Sequence, residues 1–179
     1  MLSRRLLPAL LLLCAPLWAG ENVWTPIGPE GGTVRSLAIA PNGRTAYAGT
    51  TTGQVFRSAD AGRAWTLTAP NLGGAVLQLE ADPFQAGRIY AAAGAKLWRS
   101  DDAGRTWSDL TSRLPEGPVV STALIADPLS PGVVYLGGYS AGRVRVFRSA
   151  DHGASWQLAA AGLPRSGYRL SLAVHPRRR

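Results

Sequence analysis

Three octapeptides of one form decide the fold: SADAGRAW at residues 58–65, SDDAGRTW at 100–107 and SADHGASW at 149–156. They align without gaps as S-x-D-x-G-x-x-W, and their starts are 42 and 49 residues apart. Each follows apolar residues and an arginine, which is Arg57, Arg99 or Arg148. Three copies at a similar interval indicate a chain built from internal repeats of about 45 residues.

Other landmarks follow the same interval. Apolar runs end at Pro41, Pro83, Pro128 and Pro176, and a tyrosine with small residues follows each of the first three. The pattern predicts four short strands per unit: 34–40, 45–49, 54–58 and 64–67; 76–81, 88–92, 96–100 and 106–110; 121–126, 133–137, 144–149 and 155–158. Such strands in units of about 45 residues are typical of β-propeller blades. We therefore predict an all-β fold of four-stranded antiparallel blades, with each apolar first strand innermost and buried on both faces.

The octapeptide predicts a hairpin between the third and fourth strands of each unit. Its aspartate can accept hydrogen bonds from backbone N–H groups two residues on, its glycine can adopt a positive φ, and its tryptophan can cover the loop. Because it recurs in every unit, we interpret it as structural rather than catalytic. The residues concerned are Ser58, Asp60, Gly62, Trp65, Ser100, Asp102, Gly104, Trp107, Ser149, Asp151, Gly153 and Trp156.

The motif resembles the Asp-box, or BNR, repeat of sialidases, sortilin-type Vps10 propellers, xyloglucanase-like glycoside hydrolases and photosystem II assembly factors. The resemblance covers essentially the whole chain after the first twenty residues. Residues 28–34, 37–41 and 47–50 are most similar to exported repeat proteins of the sortilin and assembly-factor type. The resemblance implies propeller blades, but the activities of these families differ.

A sialidase-like activity would imply an arginine triad, a Tyr–Glu nucleophilic pair and an acid. The usual Arg-Ile-Pro motif does not occur, and Arg35 is the nearest candidate by position. Glu30 and Glu116 are loop acids without a second carboxyl beside them in sequence, whereas Asp82 and Asp127, each before a proline, are turn formers. We predict no catalytic residues.

The sequence also predicts no metal site and no cofactor. Its two histidines, His152 and His175, are far apart in sequence, and Gly31-Gly32 and Gly73-Gly74 precede strands rather than helices.

A candidate ligand face follows from blade geometry. The octapeptide hairpins should share one face with the proline turns, which leaves the opposite face to the linkers between units and the loops between second and third strands. Ligand-binding propellers usually use that opposite face, although ordinary polar loops would look the same in sequence. The candidate residues are Asn71, Arg113, Glu116, Tyr139, Arg143, Arg165 and Tyr168.

The first twenty residues predict a cleaved signal peptide. Arg4 and Arg5 precede an apolar stretch at 6–18, which is too short to span a membrane, and a small residue follows at Ala19. A twin-arginine signal at 3–5 or a lipoprotein site at Cys14 are weaker alternatives. We therefore expect a secreted or periplasmic protein comprising residues 21–179.

Composition excludes several classes of protein. Hydrophobic residues make up 46% and charged residues 17%, which is too apolar for disorder, and 21 Gly with 13 Pro do not suit a helical bundle. Without Cys14, the one cysteine, disulfides and thiol chemistry are excluded. The net charge of +8 falls to +6 once Arg4 and Arg5 are removed, so we expect no nucleic-acid partner.

The repeats are expected at about 34–74, 75–119 and 120–168, with a partial one at 169–179. Trp24 matches a fourth-strand tryptophan and 169–174 a first strand, which gives three and a half blades where closed propellers have four to eight. This count predicts a fragment, an unusual oligomer or a truncated gene. The expected function is non-enzymatic binding or assembly with an unidentified protein or glycan. The alternative is a relative or fragment of a sialidase-like glycoside hydrolase.

Overall fold

The protein forms three antiparallel sheets of four strands in the computed structural model, which describes residues 28–29, 32–140, 142–159, 163 and 170–175. Sheet 1 contains β1 Val34–Ile39, β2 Ala46–Thr50, β3 Val55–Ser58 and β4 Thr66–Ala69. Sheet 2 contains β5 Val76–Ala81, β6 Ile89–Ala93, β7 Lys96–Ser100 and β8 Ser108–Asp109. Sheet 3 contains β9 Val120–Ala126, β10 Val134–Ser140, β11 Arg143–Ser149 and β12 Gln157–Leu158.

Each sheet is a meander in which every strand pairs with the next one in the chain. The prediction of an all-β fold with four-stranded antiparallel units is confirmed. The fourth strands begin two residues later than predicted, at Thr66, Ser108 and Gln157, because the octapeptide turn continues to its tryptophan. A single 3₁₀ turn, Thr111–Arg113, links sheets 2 and 3 within the described residues. Among the residues that the structure describes, no helix is long and apolar enough to cross a membrane.

Two apolar layers hold the sheets face to face. Tyr47, Val55, Leu79 and Ala91 belong to the layer between sheets 1 and 2. The layer between sheets 2 and 3 is built from larger side chains, including Tyr90, Leu97, Leu110, Leu124, Leu136, Phe147 and Trp156. The alanine side chains of β6 are small, so the side chains of both layers can pack close to the central sheet.

The first strand of sheet 1 differs from the prediction. Leu37 and Ile39 are 64% and 68% exposed, although this strand was expected to be buried on both faces. Leu79 and Leu124 occupy the position of Leu37 in the next two sheets and are buried against the preceding sheet. Leu37 has no described sheet in front of it, so its side chain remains in solvent.

The final described segment, 170–175, lies against sheet 3. A Cβ built on Gly137 would come within 2.5 Å of Leu170 Cδ2, and Thr122 Oγ1 donates a hydrogen bond to the Leu170 carbonyl at 3.0 Å. The segment therefore lies beside β9 and β10. It is not assigned as a strand over its described residues.

The loops divide between two ends of the sheets, as the alternation of strands predicted. Backbone N–H groups of the octapeptide hairpins donate to the first hairpin of the same sheet, from Ala103 to Gly87 O at 2.8 Å and from His152 to Gly132 O at 2.9 Å. At the other end, Leu72 N donates to Gly53 O at 2.9 Å and joins a linker to a β2–β3 turn. These are called the octapeptide end and the linker end below.

Candidate functional site

The three octapeptides share one hydrogen-bonding pattern around their serine and aspartate. In sheet 2, Ser100 Oγ donates to Asp102 Oδ1 at 2.8 Å and accepts from Gly104 N at 2.8 Å. Asp102 Oδ1 also accepts from Thr106 N at 2.8 Å. Sheets 1 and 3 repeat these bonds from Ser58 and Asp60 and from Ser149 and Asp151.

This geometry corrects one detail of the sequence analysis. The aspartate accepts from the N–H four residues on rather than two, and the buried serine satisfies the glycine N–H. The residue before the glycine also has a positive φ, at 60° for Ala61, 62° for Ala103 and 58° for His152. Two consecutive positive φ values tighten the turn, which explains the glycine at its second position.

The octapeptide aspartates are held ionised by their own hairpins. The backbone N–H and then the hydroxyl of Thr106 lower the pKa of Asp102 to about 2. The hydroxyl and then the N–H of Ser155 lower the pKa of Asp151 to about 2. A carboxylate with so low a pKa is a poor proton donor or acceptor near neutral pH. The geometry therefore gives these groups a structural use.

The octapeptide tryptophans differ in their surroundings. The indole Nε1 of Trp107 donates to Gly104 O at 2.9 Å, and that of Trp156 donates to Gly153 O at 3.2 Å. The Nε1 atom of Trp65 is buried and has no hydrogen-bond partner among the described residues. The first octapeptide is thus less completely bonded than the other two.

Of the two candidate catalytic acids, only Glu116 lies within the described residues. Glu116 forms an ion pair with Arg145 Nε, and Glu30 lies outside the described residues. Asp82 Oδ1 accepts from the N–H groups of Phe84 and Gln85, and Asp127 Oδ1 accepts from that of Leu129, as expected of turn formers. Within the described residues, no group of three His, Cys, Asp or Glu side chains could hold a metal ion.

Glu80 is the one described carboxyl with a pKa raised by its surroundings. Burial raises that pKa, and a hydrogen bond from Ala126 N to Glu80 Oε1, at 3.0 Å, opposes the rise. The side chain bridges β5 and β9 and satisfies a backbone N–H of the neighbouring sheet. The hydrogen bond therefore joins sheet 2 to sheet 3.

The described residues of the candidate ligand face are dispersed. Asn71 Oδ1 accepts from Gly73 N at 2.7 Å within its own linker, and Arg113 Nη1 donates to Ala154 O at 3.4 Å in the octapeptide of sheet 3. The Tyr139 hydroxyl is buried without a partner, and Arg143 is exposed at the start of β11. Arg165 and Tyr168 lie outside the described residues. Arg113 therefore points away from the linker end, where the sequence had placed it.

A polar cavity of about 430 Å³ opens where the first strands of the sheets meet. We call it the inner cavity; its lining residues are Arg35, Leu77, Gln78, Ser121, Thr122, Leu170 and Ser171. Gln78 Nε2 donates to Thr122 O at 3.1 Å, which fixes one wall of the cavity. Arg35 is exposed and forms no ion pair with a described residue. The lining therefore offers one free cation and several hydrogen-bonding groups, with no carboxylate among them.

The arrangement of the sheets is shared with solved propeller structures. YCF48 bound to D1 peptide has a TM-score of 0.57 and 16% identity, over 71% of this chain and 40% of that chain. YCF48 from Cyanidioschyzon merolae has a TM-score of 0.57 and 17% identity, over 74% and 38%. The GH74 xyloglucanase from Xanthomonas campestris has a TM-score of 0.60 and 23% identity, over 74% and 24%. The chain has a β-propeller fold.

These likenesses concern the fold. The chain spans less than half the length of each of those propellers. No protein-family model matches the sequence. No curated protein matches it either.

Sequence reasoning missed two features of this surface. The inner cavity was not predicted because its residues come from strand positions that look unremarkable one at a time. The ion pair between Glu116 and Arg145 was missed because the two residues are far apart in sequence. Aligning the three repeats position by position would have brought Arg35, Leu77 and Thr122 to one level of the propeller.

Proposed function

We propose that the chain is an exported, non-enzymatic propeller module that binds a partner at its inner cavity. The observation that carries this proposal is the lining of that cavity, which presents the guanidinium of Arg35, unpaired among the described residues, and no described carboxylate. A free guanidinium with surrounding hydroxyl and amide groups suits the binding of an acidic or polar ligand. Hydrolysis of a glycoside would instead need two carboxyl groups facing each other.

A protein is the partner we favour, in binding or assembly. One propeller of similar fold is a YCF48 structure bound to a D1 peptide, which supports peptide binding as a use for this architecture. A glycan is the alternative partner.

The proposal includes the assignment to Asp-box repeat proteins, with a signal segment at 1–20 and the repeats at 21–179. It also includes a secreted or periplasmic location, for which the support is the apolar stretch at 6–18.

Retention of envelope proteins on the immobilised chain tests the binding proposal. Arg35→Gln removes the cation of the inner cavity, and Arg63→Gln removes an equally exposed arginine from an octapeptide hairpin. A true partner should be retained by the wild type and by Arg63→Gln, and lost with Arg35→Gln. Equal retention by both variants would show that the inner cavity does not bind it.

The alternative function is glycoside hydrolysis, which the similarity to GH74 propellers favours. A panel of fluorogenic glycosides would detect it directly. Hydrolysis that disappears in Glu116→Gln would replace the binding proposal with an enzymatic one. Because Glu116 is paired with Arg145, we expect no hydrolysis.

A further inference from the structure

A groove at the octapeptide end separates sheets 1 and 2. It encloses about 360 Å³, and we call it the arginine groove; its lining residues are Arg57, Thr66, Leu67, Thr68, Ala103 and Arg105. Arg57 comes from β3, and Arg105 comes from the octapeptide of sheet 2. Two guanidinium groups therefore line one small groove.

The two arginines have no described acidic partner. No described carboxylate forms an ion pair with Arg57 or Arg105. The Nε atom of Arg57 is buried and lacks a hydrogen-bond partner among the described residues, although it carries a hydrogen to donate. The guanidinium thus has more donors than the described residues satisfy, and the part of it that lines the groove favours an acceptor from outside the chain.

The second groove, between sheets 2 and 3, shows what an arginine at this position binds. Arg99 occupies the position of Arg57, 42 residues later, and its Nε donates to Asp101 Oδ2 at 3.0 Å. Its Nη1 donates to His152 O, at 2.8 Å, in the octapeptide of sheet 3. The position of Asp101 is Ala59 in sheet 1, and the position of Arg105 is Ala154 in sheet 3. The first groove thus has Arg105 where the second has an alanine, and it lacks the aspartate, which in the second groove also pairs with Arg88.

Neighbouring groups leave the arginine groove positively charged. The Tyr47 hydroxyl is buried opposite Arg57 across β2 and β3, where the Arg57 guanidinium can donate a hydrogen bond to it. Burial raises the pKa of Tyr47, while the Arg57 guanidinium opposes the rise, so the phenol stays neutral. The octapeptide acid of sheet 2, Asp102, is already bonded by Ser100 and Thr106.

We propose that the arginine groove binds the carboxylate of an aspartate or glutamate side chain on a partner protein, in the place that Asp101 occupies beside Arg99. One guanidinium can hold a carboxylate through two of its nitrogens, as Nε and Nη2 of Arg99 do at 3.0 and 2.9 Å from Asp101 Oδ2. The groove lies at the octapeptide end and shares no lining residue with the inner cavity. Its test is therefore independent of the function proposed above.

The test follows the Nε–Hε resonances of the arginines in the ¹⁵N-labelled full chain during titration. The probe is an acetylated hexaglutamate peptide, with hexaglutamine as its uncharged match and sulfate and phosphate as inorganic anions. Hexaglutamate should shift the Arg57 resonance in a saturable way, and hexaglutamine should not. A missing shift would overturn the proposal, and a stronger response to sulfate or phosphate would overturn the choice of a carboxylate.

Three variants locate the site. Ala59→Asp supplies from within the chain the carboxylate that Arg99 already has, and should weaken hexaglutamate binding roughly tenfold or more. Arg105→Ala should weaken it several-fold, as expected on losing one charge-assisted contact. Arg63→Ala removes the arginine that occupies the position of Arg105 in the first octapeptide, outside the groove. It should change the affinity less than about twofold. Equal effects of the last two would show non-specific attraction instead.

A fourth variant should gain a response to hexaglutamate, which a protein that fails to fold could not show. Asp101→Ala removes the carboxylate that holds Arg99 and Arg88 in the second groove, so hexaglutamate should then shift the Arg99 resonance, which should not respond in the wild type. The effect should be weaker than at Arg57, because Ala154 stands where Arg105 would be. No response from Arg99 in a folded Asp101→Ala protein would count against the proposal.

Discussion

Leu37 and Leu79 occupy the same position in consecutive sheets but differ greatly in exposure, at 64% and 5%. Leu79 packs into the layer between sheets 1 and 2 with Tyr47 and Val76. Leu37 lines a mostly apolar recess with Ile39 and Trp65 on the far side of sheet 1. The same residue type is therefore a core residue in one sheet and a surface residue in the previous one.

Alanine substitution should separate the two leucines. Leu79→Ala removes buried methyl groups from a packed layer and should lower the free energy of unfolding by about 2–5 kcal/mol. Leu37→Ala should lower it by less than about 1 kcal/mol, because the side chain is already in solvent. Urea unfolding of both variants checks this. A similar loss for Leu37→Ala would mean that another segment or molecule covers sheet 1 in solution.

The repeated octapeptide is enough to predict the strands and their pairing. Each copy fixes the hairpin between the third and fourth strands, and local bonds such as Ser100 to Asp102 form entirely within eight residues. Contacts between sheets depend on what precedes and follows each repeat. The exposure of Leu37 therefore could not be read from its apolar neighbours in sequence.

The candidate site was harder to predict than the fold. The inner cavity joins residues about 45 positions apart, such as Gln78 and Thr122, whose hydrogen bond depends on how the sheets lie beside each other. Arg113 reaches the next octapeptide through a long side chain, which a count of loops does not reveal. The difference between Ala59 and Asp101 was visible in sequence, but its meaning depends on the bond from Arg99.

The octapeptide tryptophans should respond differently to the loss of the indole nitrogen. Trp107→Phe removes a hydrogen bond to Gly104 O and apolar contact with the first layer, and should cost about 1–2 kcal/mol of unfolding free energy. Trp65→Phe removes a buried donor that has no partner, so its cost should be smaller. Urea unfolding compares them. A larger loss for Trp65→Phe would show that its nitrogen is bonded in solution.

The octapeptide aspartates should make the fold sensitive to acid. Hydrogen bonds from Thr106 and Ser155 lower the folded-state pKa values of Asp102 and Asp151 to about 2, from an ordinary value of 3.8. Their stabilisation is present above the unfolded-state pKa and is lost as the pH falls through the folded-state value. Stability should therefore decrease between about pH 4 and pH 2. Unfolding of Asp102→Asn across that window should show a shallower decrease, whereas an unchanged slope would contradict this origin.

Glu80 should have the opposite dependence on pH. Burial raises its folded-state pKa above the ordinary value of 4.5, so the folded protein favours the protonated carboxyl. Its contribution to stability is complete below the unfolded-state pKa and is lost as the pH rises through the folded-state value. Glu80→Gln keeps an oxygen that can accept from Ala126 N but has no proton to lose. The variant should match the wild type near pH 4 and exceed its stability at pH 7, as measured by urea unfolding at both values. A wild type that is more stable than the variant at pH 7 would show that the ionised carboxylate is the favoured form in the folded protein.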